Sequence, residues 1–259
     1  MFLSIDIGNT NITLGIYEKE NLIETFRLAS DKDLSQSEYE VLLKTLCKDY
    51  EIKDCVIGSV VEELSPILKQ ASDNVFNLDS FLVSSQVDLG LKIALKKTKE
   101  IGADRIANAY GAKAKYPLPL IVIDIGTATT FDIVSKNGEF LGGVIMPGLN
   151  LQFKSLSSNT SKLPRINAGI SEKAIGDSTE NALLSGIMRG SACAIEGLIH
   201  QCELELGEKA TIIATGGQSR LISEYMIRRF DYIDPALTLE GLKLLYELNK
   251  SISNKINKI

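Results

Sequence analysis

Apolar and polar residues follow the same pattern in two stretches of the chain, and each stretch predicts a β-hairpin. Residues 2–17 read FLSIDIGNTNITLGIY, and residues 120–134 read LIVIDIGTATTFDIV. In both, an apolar run ends in Asp-Ile-Gly, short polar residues follow, and a second apolar run begins. This is the pattern of two strands joined by a turn. Two copies about half a chain apart indicate an internal duplication.

The elements that follow each hairpin are also similar. The first copy predicts strands at 2–6, 12–17 and 22–28, a helix capped by Ser35 with Glu38, a strand at 55–60, a helix at 62–71 and a strand at 75–83. A further helix, opened by residues 101–105, is expected to run to about Tyr116. The order βββαβα therefore describes a first unit at residues 1–116.

The second unit is predicted at residues 117–259. Its strands are expected at 120–124, 130–134 and 139–145, with Asn137-Gly138 as a type I′ turn. A long helix, capped by Asp177 with Glu180, should run to about Leu206. A strand at 211–215, a helix at 219–230, a strand at 232–233 and a helix at 237–248 complete the unit.

Both hairpin turns carry residues that suit a phosphate group. Gly8 and Gly126 permit a positive φ and leave no side chain in the way of a ligand. Backbone N–H groups of such turns can bind anions, and Asp6 and Asp124 end the incoming strands, where a carboxylate could hold a cation. The alternative is that glycine serves only the turn, as in many hairpins. Two matched copies favour the ligand-binding interpretation and resemble the nucleotide site of the actin/hexokinase/Hsp70-like ATPase fold. We therefore expect a duplicated, ribonuclease H-like α/β fold with a central cleft.

Composition argues against several classes of partner and several types of catalytic site. The net charge of −5 over 259 residues argues against a nucleic-acid or anionic-membrane partner. No uninterrupted apolar run reaches the ~18 residues of a membrane span, and no signal peptide is recognised at the N-terminus, so a cytoplasmic protein is expected. The four cysteines form no CxxC pair, and His200, the one histidine, lies far from any nucleophile motif. Acid–base catalysis would then need a carboxylate or a lysine.

Nucleotide-binding motifs of other folds are absent. The chain has neither GxxxxGK[ST] nor GxGxxG. If phosphate is bound, the paired hairpins bind it. One long helix carries small residues every four positions, at Ala182, Gly186, Gly190 and Ala194. This stripe allows close approach of another element, which is either the helix's own sheet or the same helix of a second subunit.

Six motifs along the chain resemble those of the type III pantothenate kinases, in the order of that family and over nearly its whole length. They are Asp6-Ile-Gly-Asn-Thr-Asn, Gly102-Ala-Asp-Arg105, Asp124-Ile-Gly-Thr-Ala-Thr129, Gly142-Gly143 with Pro147-Gly148, Thr215-Gly-Gly217, and the ending Asp234-Pro-Ala-Leu-Thr-Leu-Glu-Gly-Leu242. The Gly-Ala-Asp-Arg motif is the most discriminating, because related ATPase-fold families share only the phosphate hairpins.

The resemblance implies an enzyme that transfers the γ-phosphate of ATP to the primary hydroxyl of pantothenate, the first step toward coenzyme A. It implies Mg²⁺ with the ATP, a monovalent cation (K⁺ or NH₄⁺) and a homodimer. It also implies residue roles. Asp104 would accept the proton and Asp124 would bind the monovalent cation. ATP would contact Asp6, Ile7, Gly8, Asn9, Thr10, Asn11, Ile12, Thr13 and Thr127. Pantothenate would contact Gly102, Ala103, Asp104, Arg105 and Thr179.

Some alternatives stay open. Leu95 stands about where many family members carry a substrate-contacting tyrosine, so another residue supplies that contact or the affinity for pantothenate differs. Asp104 and Thr179 each lie near a helix start, where an acidic side chain or a hydroxyl is often only a helix cap. The function alternatives are a regulatory, transcription-accessory relative of the same family and a phosphohydrolase of the same fold.

Overall fold

The computed structural model describes residues 1–84, 87–95, 97 and 101–256. The strands are β1 (Phe2–Ile7), β2 (Asn11–Glu18), β3 (Asn21–Ala29), β4 (Asp54–Ser59), β5 (Phe81–Leu82), β6 (Lys92–Ile93), β7 (Leu120–Ile125), β8 (Ala128–Val134), β9 (Glu139–Pro147), β10 (Thr211–Thr215) and β11 (Tyr232–Ile233). The helices are α1 (Gln36–Leu46), α2 (Leu64–Phe76), α3 (Ala103–Lys115), α4 (Leu149–Asn159), α5 (Thr179–Leu206), α6 (Ser219–Ser223) and α7 (Leu237–Ile256).

The chain divides into two compact units. The first comprises Met1–Ala114 and Ala236–Ile259, and the second comprises Lys115–Pro235. The sequence predicted a division after Tyr116, close to the observed one, but it placed the C-terminal helix in the second unit. The structure groups that helix with the first unit instead.

The first unit is built on a sheet with strand order β3-β2-β1-β4-β5. Strands β1, β2 and β3 form an antiparallel meander, and β4 runs parallel to β1. Alternate residues of β1 and β2, including Leu3, Ile5 and Leu14, face a core shared with α1 and α2. Helix α1 begins at the predicted capping box, in which Ser35 accepts from the Glu38 N–H and the Glu38 carboxylate accepts from the Ser35 N–H.

The C-terminal helix α7 packs on the first sheet because glycines leave room for it. A Cβ atom on Gly58 of β4 would lie 2.5 Å from a methyl group of Leu242, and one on Gly15 of β2 would lie 2.9 Å from Leu239. Ser4 of β1 also donates its hydroxyl to the Leu239 carbonyl at 2.9 Å. Such contacts join residues more than 180 positions apart, so the sequence pattern around α7 alone could not predict them.

Helix α3 crosses α7 at a second close contact. A Cβ on Gly241 would lie 2.0 Å from the Ala107 carbonyl oxygen. Apolar residues of both helices, among them Ile106 and Leu242, share a core with Val56 of β4. The first unit therefore has three layers, with α1 and α2 on one face of its sheet and α3 and α7 on the other.

The second unit repeats the meander. Its strand order is β11-β10-β7-β8-β9, with β7, β8 and β9 antiparallel and β10 parallel to β7. Ile121, Ile123 and Ile125 of β7 face a core that contains apolar residues of α4, α5 and α6. The two units thus share the predicted order of a meander followed by a parallel strand.

Helix α5 is long and apolar enough to cross a membrane by length and composition, and it is the one such helix among the described residues. Residues along it, including Ile187, Met188 and Ile195, are buried in the core of the second unit. A core helix meets the same two criteria, so they are weak evidence for a membrane span.

Several local predictions were wrong. Asn137-Gly138 is not a type I′ turn, because of these two residues only Gly138 takes a positive φ, of 74°, and its N–H donates to the Ser135 carbonyl within the loop between β8 and β9. Of the strand predicted at 75–83, Phe81–Leu82 is strand, since α2 continues to Phe76. The helix predicted at 219–230 ends at Ser223, and α7 extends beyond 248 to Ile256.

Candidate functional site

The first hairpin has a loop of three residues, Gly8, Asn9 and Thr10, between β1 and β2. The Gly8 N–H donates to the Asn11 carbonyl at 3.0 Å and closes the turn. Ser30, just after β3, holds the loop from the side: its N–H donates to the Thr10 carbonyl and its hydroxyl donates to the Gly8 carbonyl. Asn9 and Thr10 are exposed at the tip. The hydrogen bonds from Ser30 therefore hold the loop in place, and its exposed tip is accessible to a ligand.

The reason for glycine at the two hairpin turns differs from the prediction. Neither Gly8 nor Gly126 takes a positive φ. A Cβ on Gly8 would lie 3.1 Å from the Asn11 carbonyl oxygen, and one on Gly126 would lie 3.4 Å from the Asp124 Oδ1 atom. The prediction of left-handed turn glycines was wrong, and only Gly8 has a tight contact to explain.

Asp6 lies at the end of β1, half-buried, with Thr13 of β2 directly opposite and Gly58 of β4 on its other side. Ile5 and Ile7 face the α1–α2 core. Since successive side chains of a strand alternate between faces, Asp6 lies on the face that carries α3 and α7.

The segment 102–105 reaches the same end of β1. The Val60 N–H, just beyond β4, donates to the Ile7 carbonyl at 3.0 Å, and a Cβ on Gly102 would lie 3.0 Å from the Val60 Cγ1 atom. Ala103 begins α3 and is buried in the core that α3 shares with α7. The first unit thus brings the predicted proton acceptor segment and the first hairpin to one edge of its sheet.

Asp104 is half-buried in the first turn of α3. Burial raises the pKa of its carboxyl group, while the hydrogen bond from the Arg105 N–H, at 2.7 Å, and the Arg105 charge act in the opposite direction. A Cβ on Gly102 would lie 2.4 Å from Asp104 Oδ1, so a glycine is needed at 102 for the carboxylate to hold this position. A carboxylate with a raised pKa is a better proton acceptor than an ordinary aspartate.

The second hairpin has a two-residue loop, Gly126 and Thr127, supported by the start of a helix. The Gly148 N–H, at the N-cap of α4, donates to the Thr127 carbonyl at 3.1 Å. A Cβ on Gly148 would lie 2.3 Å from the Gly126 carbonyl oxygen, so only glycine allows this contact. Thr127 is exposed on the loop.

Asp124 lies at the end of β7, half-buried, between Thr130 of β8 and Thr215 of β10. The chain after Thr215 turns over the carboxylate: Gly216 takes a φ of 84°, and a Cβ there would lie 2.4 Å from Asp124 Oδ1. The Gln218 N–H donates to the Ile125 carbonyl at 3.3 Å. Thr215-Gly-Gly217 is one of the motifs found in the sequence, where no role could be assigned to it. Its position beside Asp124 follows only from the pairing of β10 with β7.

Thr179 is the exposed first residue of α5. The N-cap is Ser178, whose hydroxyl accepts from the Asn181 N–H at 3.1 Å, so the predicted Asp177 cap was wrong by one position. Asp177 instead accepts from the Asn181 side chain at 2.6 Å. Thr179 lines an apolar groove of about 300 Å³ together with Leu156, Leu163, Ala182, Leu183, Gly186 and Ile187. Thr179 is therefore not the helix cap, and it lies at the edge of a groove of the second unit.

Other reactive side chains are poorly placed for catalysis. Burial raises the pKa of Cys55 to about 12 and that of Cys47 to about 11, so both thiols stay protonated. His200 is exposed on α5. Among the described residues no cluster of three His, Cys, Asp or Glu side chains could hold a metal ion. Within the described part of the chain, a cation at Asp124 would therefore have at most one further ligand of these four residue types.

The chain as a whole is similar to known proteins. The family model described as type III pantothenate kinase matches residues 2–201. A type III pantothenate kinase from Exiguobacterium sibiricum is 40% identical over 255 residues, which is 96% of this chain and 100% of that protein.

Solved structures give the fold. A protein from Campylobacter jejuni assigned to the Baf family of transcriptional activators has a TM-score of 0.64 at 23% identity, over 96% of this chain and 99% of that one. The activator of 2-hydroxyisocaproyl-CoA dehydratase from Clostridium difficile, with bound ADPNP, has a TM-score of 0.55 at 14% identity, over 99% and 97% of the two chains. The predicted duplicated ATPase fold of the actin and hexokinase type is confirmed. With a family model over most of its length and a relative of 40% identity over 96% of it, the chain belongs to the type III pantothenate kinase family.

Proposed function

We propose that this chain is an ATP-dependent pantothenate kinase. It transfers the γ-phosphate of ATP to the primary hydroxyl of pantothenate, giving 4′-phosphopantothenate, the first step of coenzyme A biosynthesis. The observation that carries the proposal is Asp104: its pKa is raised by burial, it requires glycine at 102, and it lies at the edge of the sheet that carries the first hairpin. An aspartate that only caps a helix or only carries a surface charge would need neither the raised pKa nor a glycine two residues before it.

Asp104 accepts the proton of the pantothenate hydroxyl as the oxygen attacks phosphorus. Because phosphoryl transfer asks for positioning and charge neutralisation more than covalent chemistry, one general base with oriented substrates is sufficient. Gly102, Ala103 and Arg105 bind pantothenate beside this carboxylate, and the Arg105 guanidinium meets the carboxylate of the substrate. Thr179 contributes a further substrate contact from the start of α5.

The hairpin loops bind the ATP phosphates. In the first unit the binding residues are Asp6, Ile7, Gly8, Asn9, Thr10, Asn11, Ile12 and Thr13. In the second unit Thr127 contributes, on a loop that the positive end of the α4 dipole adjoins. Mg²⁺ bound with ATP neutralises charge on the transferring phosphoryl group. These residues orient the nucleotide.

Asp124 binds the monovalent cation, potassium or ammonium. The residues fit such an ion: the Asp124 carboxylate faces a bend at Gly216 in which a Cβ would occupy the space 2.4 Å from its Oδ1 atom. Hard cations prefer oxygen ligands of this kind. Glycine at 216 therefore keeps open the space next to the carboxylate.

The active form is a homodimer joined through α5. Gly186, Gly190 and Gly197 are exposed along this helix, and a Cβ on any of them would meet nothing within 4 Å. Helices with such small residues approach each other closely. The protein works in the cytoplasm, with no nucleic-acid or membrane partner. Sedimentation velocity tests the dimer, and Gly190→Leu should convert it to a monomer.

One assay separates the kinase from its alternatives. ADP release is coupled to a dehydrogenase signal and measured with potassium, with and without pantothenate. ADP formation that requires pantothenate supports the kinase. Phosphate release without pantothenate would identify a phosphohydrolase, and no turnover under either condition would favour a regulatory relative.

A further inference from the structure

The hydroxyl of Thr215 is buried without a hydrogen-bond partner. The residue is 1% exposed, and its Oγ1 atom makes no hydrogen bond. Leaving a buried hydroxyl unbonded costs stability. The folded chain therefore keeps an unfavourable group at the end of β10, which a bound ligand would satisfy.

Thr215 lies beside Asp124 on the same face of the sheet. Strands β10 and β7 are parallel, and Thr215 is the register partner of Asp124. Their neighbours Ala214, Ile123 and Ile125 face the core of the second unit. Since side chains alternate along a strand, Thr215 and Asp124 both face away from that core, side by side.

The backbone after Thr215 closes over the same carboxylate. Gly216 approaches Asp124 Oδ1 so closely that no side chain would fit. Gln218 is bonded by its N–H to the Ile125 carbonyl, and its Oε1 atom is also buried without a hydrogen-bond partner. The segment 215–218 thus holds two buried, unsatisfied oxygen atoms near the end of β7.

We propose that Thr215 Oγ1 is a ligand of the cation that Asp124 binds. This rests on the proposed function, which supplies the need for a monovalent cation. A carboxylate beside the hydroxyl repels a phosphate and attracts a cation, so the ion rather than the nucleotide is the ligand of this oxygen. A charged oxygen and neutral oxygens together form the donor set that hard cations prefer.

The test measures cation binding without nucleotide or substrate. The melting temperature is followed as potassium chloride replaces tetramethylammonium chloride at constant ionic strength, because ligand binding to the folded state raises it. Wild-type protein should be stabilised by potassium. Thr215→Val should melt higher than wild type in tetramethylammonium, since it removes an unsatisfied hydroxyl, and should need about tenfold or more potassium for the same increment. Thr215→Ser, which restores the hydroxyl, should respond like wild type.

Thr211→Val is the matched control. It changes the same residue type on the same strand but removes a hydroxyl that donates to the Pro117 carbonyl at 2.8 Å. It should lower the melting temperature equally in both salts and leave the potassium response unchanged. If Thr215→Val does not fold, Thr215→Ala makes the same comparison with a smaller side chain.

A wild-type potassium response in Thr215→Val would overturn the assignment, and so would the absence of any potassium-specific stabilisation in wild type. Loss of stabilisation by ATP in Thr215→Val, with the potassium response retained, would assign the hydroxyl to the nucleotide and overturn it as well. The kinase proposal fails separately, by absence of pantothenate-dependent ADP release, which the melting series does not measure.

Discussion

The two hairpins have the same pairing of an aspartate with a threonine, but they differ in the residue on the neighbouring parallel strand. Asp6 is paired with Thr13 across the first hairpin, and Asp124 is paired with Thr130 across the second. The difference is on the parallel strand at the other side of each aspartate. There the first unit has Gly58 and the second has Thr215.

The residue at that one position has a different structural role in each unit. At Gly58 the missing side chain makes room for Leu242 of α7, so the neighbour of Asp6 serves packing. At the corresponding position of the second unit the residue is Thr215, and its buried side chain lies beside Asp124. On our proposal, the parallel strand rather than the hairpin itself therefore determines which of the two aspartates binds the cation. Asp104, the proposed proton acceptor, belongs to the first unit.

The largest expected effect is the loss of Asp104. Asp104→Asn should reduce turnover by about 10²–10⁴-fold, the usual contribution of a general base, while ATP binding persists. Turnover is measured by pantothenate-dependent ADP release and ATP binding by calorimetry. Asp124→Asn is the matched change in the second unit and should alter the potassium dependence instead. Near-normal turnover in Asp104→Asn would remove this carboxylate from the mechanism.

The pKa of Asp104 also predicts a pH dependence. Its pKa lies above the ordinary 3.8 because of burial, so the acid limb of kcat/KM should have its midpoint above 3.8. The folded state binds this proton more tightly than the unfolded chain does. The free energy of unfolding should therefore fall as pH rises from 3.8 through the folded-state pKa. At neutral pH Asp104→Asn should melt no lower than wild type, and a clearly lower melting temperature would contradict this account.

The next prediction concerns Gly216, because the bend beside Asp124 in the second unit depends on its backbone conformation. With a φ of 84° and a Cβ position 2.4 Å from Asp124 Oδ1, Gly216→Ala should destabilise the protein by about 1–3 kcal/mol. Urea denaturation measures this. Gly169→Ala is the control, since a Cβ there meets nothing within 4 Å and its backbone is not left-handed, so this variant should be neutral or slightly stabilising. Equal free energies of unfolding for the two variants would show that the bend at Gly216 accepts a side chain without strain.

The hairpins and their aspartates could be predicted from sequence because their signal is local: an apolar run, Asp-Ile-Gly and a second apolar run. The neighbours of those aspartates could not. Gly58 lies about fifty residues after Asp6 and Thr215 about ninety after Asp124, and only strand pairing brings them together. The position of α7 depends on Gly58 and Gly241 accepting distant side chains and backbone, which hydrophobic periodicity does not encode.

Asp124→Ala should weaken activation by potassium. Removing the charged ligand of a cation costs about 1.5–3 kcal/mol, or about tenfold or more in the half-saturating concentration. Turnover is measured against potassium at constant ionic strength. The corresponding change in the first unit, Asp6→Ala, should raise the KM for ATP and leave the potassium dependence as it is. Unchanged potassium dependence in Asp124→Ala would break the division of roles between the two aspartates.

The smallest effects are expected at the turn glycines, and they distinguish the two hairpins most finely. A Cβ on Gly8 would press on the Asn11 carbonyl oxygen at 3.1 Å, whereas one on Gly126 would make an ordinary contact at 3.4 Å. Neither position has a left-handed backbone, so both alanine variants should lose less than about 1 kcal/mol of stability. Gly8→Ala should nevertheless raise the KM for ATP, because the new methyl group would shift the loop that we propose binds phosphate. Gly126→Ala should raise it less, and the reverse order would mean that the second hairpin, rather than the first, makes the closer backbone approach to the nucleotide.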